Sequence, residues 1–278
     1  MTDSVAGQLA GRPRRHARHS FAAALVAALI GWLAMVPTAQ ATVVVDGTRV
    51  VYPANRREVS VNLHNVGEVP SLVEVWIDNG KDKTEAKDAP PVGAHAGDAA
   101  QSDLPIVVTP PLFRIDPAQG QTLRLIYTQS PLPTDRETVF WLNVLDIPPH
   151  TKPNPDAPNQ LEMAFRHRIK IFFRPNGLHG DPADAPKAVT WSIVGGPDGP
   201  ALIAHNPTPY YISFISADLA AGTMHDQSKT DMVAPNSSGR FALTKPGIGN
   251  SGPVTVHYSF INDYGAIVTG EAAAGSAP

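Results

Sequence analysis

The sequence predicts an all-β chain folded as β-sandwiches, and three observations carry that prediction. Several runs alternate apolar and polar residues with period two, which sends the two sets of side chains to opposite faces of a strand. Clusters of Pro, Gly, Asp and Asn separate those runs. Proline and glycine number 28 and 22 among 278 residues, and so many breaks argue against long helices. The length suits about two domains at roughly 150 residues each. Hydrophobic residues at 42% and charged residues at 17% are ordinary globular values, which excludes wholesale disorder.

The first 41 residues read as an export address. Arg12, Arg14, Arg15 and Arg18 precede the uncharged apolar run Phe21–Val36, and Ala39-Gln40-Ala41 follows. A basic opening, an apolar stretch and an A-x-A site form the order of a cleavable secretory signal, with cleavage expected after Ala41. A membrane anchor fits less well, because sixteen apolar residues fall short of the ~20 a spanning helix needs. Arg14-Arg15 invites a twin-arginine route, which the flanking residues support poorly. Removing four arginines and one aspartate takes the net charge from −3 to −6. The expected product is exported, without stable membrane insertion, and long enough to form a core.

Strands follow in order. Val59–Leu63 and Leu123–Tyr127 alternate, Thr138–Leu145 is a buried-strand run, and Leu161–Ile171 keeps period two for eleven residues. Residues 79–104, rich in Ala, Gly, Asp, Lys and Pro, read as a surface loop. The proline-rich stretch 148–158 reads as a second. Arg174-Pro175-Asn176-Gly177 ends the long strand and marks the expected boundary between a first domain, 42–175, and a second, 176–270. Residues 271–278 are expected to fray.

Composition and motifs exclude much chemistry. Net charge of −3 leaves no electrostatic footprint for nucleic acid. Cysteine is absent, so disulfides, thiol nucleophiles and Cys-ligated zinc or iron–sulfur clusters are excluded. The histidines show no metal-ligand spacing. G-x-S-x-G, H-E-x-x-H and the P-loop are missing. Gly247-Ile-Gly-Asn-Ser-Gly252 matches a dinucleotide fingerprint literally, but Pro253 and a strand-like run follow where a helix should start. Asn236-Ser237-Ser238 is a sequon that a bacterial host would leave unused. An enzyme and a cofactor are therefore not expected.

The long strand is the informative segment. Leu161, Met163, Phe165, His167, Ile169, Ile171 and Phe173 share one face, and Glu162, Arg166, Arg168, Lys170 and Arg174 the other. From periodicity alone, a strand packed on its own core is the favoured reading. The alternative leaves the first three apolar residues on an edge, open to another chain.

Four segments shift that balance. They are Thr48–Tyr52, Asp135–Asn143 with Ile147-Pro-Pro149, Arg168–Pro175, and Asn206–Tyr211 with Ile261-Asn-Asp-Tyr-Gly265. In order and spacing the chain resembles the periplasmic chaperones of the chaperone–usher pathway, which assemble bacterial pili. The resemblance covers nearly the whole mature chain. It implies two immunoglobulin-like β-sandwich domains set as an L or boomerang. It also implies a non-enzymatic role: the chaperone lends a strand to a pilin subunit that lacks one, blocks premature polymerisation, and passes the subunit to an outer-membrane usher.

Residue by residue, the resemblance makes Arg49 and Lys170 the anchor of the subunit's C-terminal carboxylate. It makes Leu161, Met163 and Phe165 the donor-strand side chains. Glu137, Arg174 and Asp263 become an ion network between the domains. Asn206–Tyr211 and Ile261–Gly265 are expected to serve the structure of the second domain. An exposed donor strand also invites self-capping as a homodimer.

Some features depart from the best-known members. The 149–161 loop is longer than in short-loop members but lacks the hydrophobic run of long-loop ones. The 79–104 loop is enlarged, the second domain has no cysteine pair, and His167 replaces a neutral residue. The competing readings are an exported carbohydrate-binding or adhesive sandwich, which would show an aromatic platform, and an exported hydrolase, which would need a convergent nucleophile and base.

Overall fold

Alternation in the sequence becomes alternation in burial. Glu58–Asn65 and Gly120–Tyr127 form strands in which alternate side chains are buried, because only one face of each meets the core. The structure, a computed structural model, describes residues 42–80, 104–149, 163–195, 199–245, 247–248 and 253–276. The expected signal segment, most of the 79–104 loop, most of the 148–158 stretch and the donor residue Leu161 lie outside the described residues.

The first body contains β1 (Val43–Val45), β2 (Arg49–Pro53), β3 (Glu58–Asn65), β4 (Ser71–Asp78), β5 (Ile106–Thr109), β6 (Leu112–Ile115), β7 (Gly120–Tyr127), β8 (Thr138–Ile147) and β9 (Phe165–Arg174). One sheet has the order β1-β3-β7-β5 and the other β2-β9-β8-β4-β6. The chain changes sheets between β1 and β2 at Gly47, whose φ of 88° suits glycine. Leu63, Leu123 and Leu125 from one sheet pack against Ile77, Leu142 and Ile171 from the other. The Tyr52 hydroxyl donates to the Arg57 carbonyl at 2.8 Å and accepts the Tyr127 N–H at 3.0 Å, joining the two sheets.

The second body contains β10 (Thr190–Val194), β11 (Ala201–Asn206), β12 (Ile212–Ala221), β13 (Met224–Lys229), β14 (Met232–Val233), β15 (Ser237–Ala242), β16 (Val254–Ile261) and β17 (Ile267–Ser276). Its strands form one hydrogen-bonded sheet, β13-β12-β16-β17-β10-β11-β15, with β14 beside β12. Residues from both ends of that order share one core, so the sheet folds over on itself. Trp191 sits 5.1 Å from Phe214 and 5.6 Å from Tyr258, centroid to centroid.

Two sequence expectations meet the structure here. The glycine-rich run at 247 leads to strand β16, and among the described residues no helix N-terminus follows it to hold a phosphate. The expected fraying from Glu271 is corrected, because β17 continues to Ser276 between β16 and β10. The small residues that read as a loose tail are needed where they stand. A Cβ on Gly270 would run into the Tyr258 ring, and Ala272 and Ala274 pack on the core.

Candidate functional site

The site is organised by β9, which lies between β8 and β2. β8 accompanies it from Phe165 to Phe173, whereas β2 pairs with it in parallel only over Lys170–Arg174. The first pair of that parallel register is Arg49 with Lys170. Two cations from distant parts of the chain are thus set on adjacent strands, roughly 4.8 Å apart in backbone spacing.

Both cations are partly withdrawn from water. Arg49 Nη1 donates to the Ile261 carbonyl at 2.9 Å, and its guanidinium lies 5.4 Å from the Phe172 ring centroid. Its buried Nε has no partner. Burial pushes the Arg49 guanidinium below its ordinary value, against the opposing pull of Asp263 and Glu137. Burial likewise lowers the Lys170 ammonium; Asp231 opposes this and Arg49 adds to it. Lys170 Nζ lies 5.3 Å from the Trp141 ring. Two half-buried cations side by side make a place where an incoming carboxylate gains charge-assisted hydrogen bonds and relieves their mutual repulsion.

At the far end of β9 the structure brings Glu137, Arg174 and Asp263 together. Arg174 Nε donates to Glu137 Oε1 at 2.7 Å, while Nη1 and Nη2 donate to the two oxygens of Asp263 at 2.7 and 3.0 Å. The planar fork of an arginine allows this double grip. Burial works against the Arg174 charge, but the bonds to Asp263 and Glu137 outweigh it and hold the proton more firmly than usual. Glu137 is 3% exposed. Burial pushes its carboxyl up, and Arg174 and the Tyr211 N–H restrain that rise. Since Asp263 follows β16 and Glu137 precedes β8, the network joins the two bodies.

The opposite end of β9 is different. Ile171 and Phe173 are buried, Ile169 packs on the edge of the same core, Phe165 is half-buried, and Met163 is 40% exposed. The strand begins at Phe165; Met163 and Ala164 precede it without strand pairing. The reason is the reach of the neighbours. The β8 ladder ends at Asp146, opposite Phe165, and β2 joins only from Lys170 onward.

Several functional contacts were missed in the sequence. Asn206–Tyr211 and Ile261–Gly265 do more than support the second body. The Tyr211 N–H donates to Glu137 Oε2 at 2.8 Å, the Glu137 N–H donates to the Pro209 carbonyl at 2.9 Å, and Tyr210 lies 5.3 Å from the Arg174 guanidinium. Phe172 packs on Tyr211, 5.9 Å between centroids. A signal for this existed, since Phe172 is the one aromatic residue on the basic face of the strand. Together Arg49, Glu137, Phe172, Arg174, Tyr211 and Asp263 help line a cleft of about 160 Å³. On the same face Arg168 bonds Asp78 at 2.6 Å, Asn143 bonds it at 2.7 Å, and Arg168 lies 4.4 Å from the Trp141 ring. Among the described residues no group of three His, Asp or Glu side chains is placed to hold a metal ion.

Residues 42–179 match the family described as pili and flagellar-assembly chaperone, PapD N-terminal domain, and residues 184–272 match pili assembly chaperone PapD, C-terminal domain. The chain belongs to the pili assembly chaperone family. It is similar to the probable fimbrial chaperone YadV of Escherichia coli K12, with 41% identity over 238 residues, 84% of this chain and 89% of the relative. It is also similar to the chaperone FimB/FhaD of Bordetella pertussis, 38% identical over 255 residues, 90% of this chain and 95% of the relative. Among solved structures, YadV superposes with a TM-score of 0.66 at 38% identity, covering 84% of this chain and 99% of that one. The periplasmic chaperone SfaE gives 0.58 at 29%, covering 84% and 98%. Both bodies are therefore immunoglobulin-like, and the chain is a periplasmic pilus-assembly chaperone, not an enzyme.

Proposed function

We propose that this chaperone takes a pilin subunit onto β9 and the segment before it. The C-terminal carboxylate of the subunit docks between Arg49 and Lys170. Leu161, Met163 and Phe165 enter the subunit groove as a donated strand, preventing premature polymerisation until an outer-membrane usher receives the complex. Glu137, Arg174 and Asp263 hold the two bodies in the orientation that keeps the cleft open. No cofactor or turnover is involved. Export removes residues 1–41 by cleavage after Ala41.

The observation that carries this reading is the geometry of β9. Its apolar face is filled by the chain's own core at one end and outruns that core at the other, while its opposite face carries Lys170 beside Arg49 of β2, both half-buried. A carbohydrate-binding sandwich would have no use for that arrangement.

Co-purification tests it. The mature chain is expressed in a periplasm with the pilin subunits encoded beside it in its own genome, as wild type, Arg49→Ala and Lys170→Ala. A stable one-to-one complex with wild type, lost in both folded variants, is expected. Folded wild type that retains no neighbouring subunit would overturn the proposal. Chromatography of the free protein at several concentrations tests self-capping; dimers that vanish in Met163→Ser support it, and a monomer throughout rejects it.

A further inference from the structure

Asp146 is a buried carboxylate, 1% exposed, that the subunit-binding reading does not use. Its Oδ2 accepts three hydrogen bonds, from the Thr42 N–H at 3.1 Å, the Thr42 hydroxyl at 2.8 Å and the Val43 N–H at 3.1 Å. Its Oδ1 is buried without a partner. No lysine or arginine ion pair found among the described residues includes Asp146. A buried carboxylate with one oxygen crowded by donors and the other bare has acceptor capacity left for a cation.

Everything around Thr42 fixes that one residue. Its hydroxyl also meets Ser71 Oγ at 3.0 Å, and its carbonyl accepts the Val66 N–H at 2.8 Å. Its side chain lies so close to Gly67 that a Cβ there would stand 2.6 Å from the Thr42 methyl. Thr42 is also the residue that cleavage after Ala41 would leave first. Hydrolysis of the Ala41–Thr42 bond adds one water. Its oxygen and one hydrogen complete the Ala41 acid, the other hydrogen goes to the Thr42 nitrogen, and the acid proton passes to that amine at neutral pH. The result is an Ala41 carboxylate on the leader and an ammonium on the chaperone.

We infer that Asp146 forms a socket for the mature N-terminus, in which the new Thr42 ammonium ion-pairs with the buried carboxylate. The inference rests on the proposed cleavage position. A peptide N–H offers one donor and no charge. The ammonium offers three donors and a full positive charge, and so reaches the bare Oδ1 as well. Maturation thereby supplies that cation, and the processed chaperone is more stable than any form with residues left before Thr42.

The test uses the mature chain, released by a protease that leaves Thr42 first, beside the same chain with Gly-Ser ahead of Thr42. Both are made with Asp146 and with Asp146→Asn. With Asp146 the extension is expected to lower Tm by about 4–8 °C, the shift of a lost charge-assisted bond in a chain of this size. In the Asp146→Asn background, where no ion pair can form, the extension should lower Tm by less than about 1 °C. An extension penalty that is absent, or equal in both backgrounds, would overturn the socket. Should Asp146→Asn fail to fold, N-terminal acetylation of the Thr42 form removes the charge and keeps a donor; it must reproduce the penalty, and an unchanged Tm rejects the inference. Mass spectrometry of the exported protein separates this from the cleavage reading, because an N-terminus other than Thr42 overturns the position of the cut whatever the Tm values show.

Discussion

The two ends of β9 are built from the same kinds of residue and have opposite fates. From Ile171 to Phe173 the strand has β8 on one side and β2 on the other and its apolar face is buried, and its last residue, Arg174, grips two carboxylates. From Met163 to Phe165 the apolar alternation continues, but the flanking strands run out and exposure rises. Hydrophobic side chains at the first end stabilise the chaperone itself; those at the second, Met163 and Phe165, stay exposed or half-buried. The difference lies in which neighbours accompany the strand, not in its sequence.

The largest expected effects break the ordered end. Phe173→Ala removes a ring packed 4.6 Å from Tyr127 and 5.7 Å from Tyr52, and should cost about 3–5 kcal/mol of stability, read by chemical denaturation. Arg174→Ala leaves Glu137 buried without its cation and should cost about 3–5 kcal/mol, with a changed scattering profile as the bodies lose their link. Asp263→Ala should cost less, since Arg174 keeps Glu137.

Next come changes that separate stability from binding. Arg49→Ala or Lys170→Ala should weaken pilin binding by about 2–5 kcal/mol, measured by calorimetry. Met163→Ser should lower pilin affinity by roughly 1.5–3 kcal/mol if its side chain becomes fully buried in the complex. Its own Tm should stay within about 1 °C, because an exposed side chain adds little to the free fold.

The smallest effect is one of pH. Burial holds Lys170 below the ordinary lysine value of 10.5, and a bound carboxylate would favour its charged form. Affinity should therefore be full at neutral pH and fall as pH rises through the lowered value, which calorimetry across the alkaline range would read. Stability of the free chain moves the other way. Burying the charged ammonium is a cost below the lowered value, and that cost disappears above 10.5.

Much of this was legible in the sequence, for definite reasons. Period two in Val59–Leu63 and Leu161–Ile171 reports a strand with one buried face; β3 spans the first run, and β9 takes up the second from Phe165 onward. The charged members of the site were marked by their resemblance to the family, since no spacing rule connects Arg49 with Lys170 or Glu137 with Asp263. Contacts through backbone groups were not legible. The Ile261 carbonyl that holds Arg49 and the Tyr211 N–H that holds Glu137 have no side-chain signature. The alanine-rich end of β17 was misread because small residues signal looseness in isolation and close packing beside Trp191 and Tyr258.

Hydrogen exchange of the free chaperone against its pilin complex tests the central claim most directly. Peptides spanning 171–174 should be protected in both states, whereas in 163–169 the amides that do not face β8 should exchange readily when free and become protected in the complex. Equal protection of those amides in the two states would contradict the account, because that edge of the strand would then not be held open for a subunit.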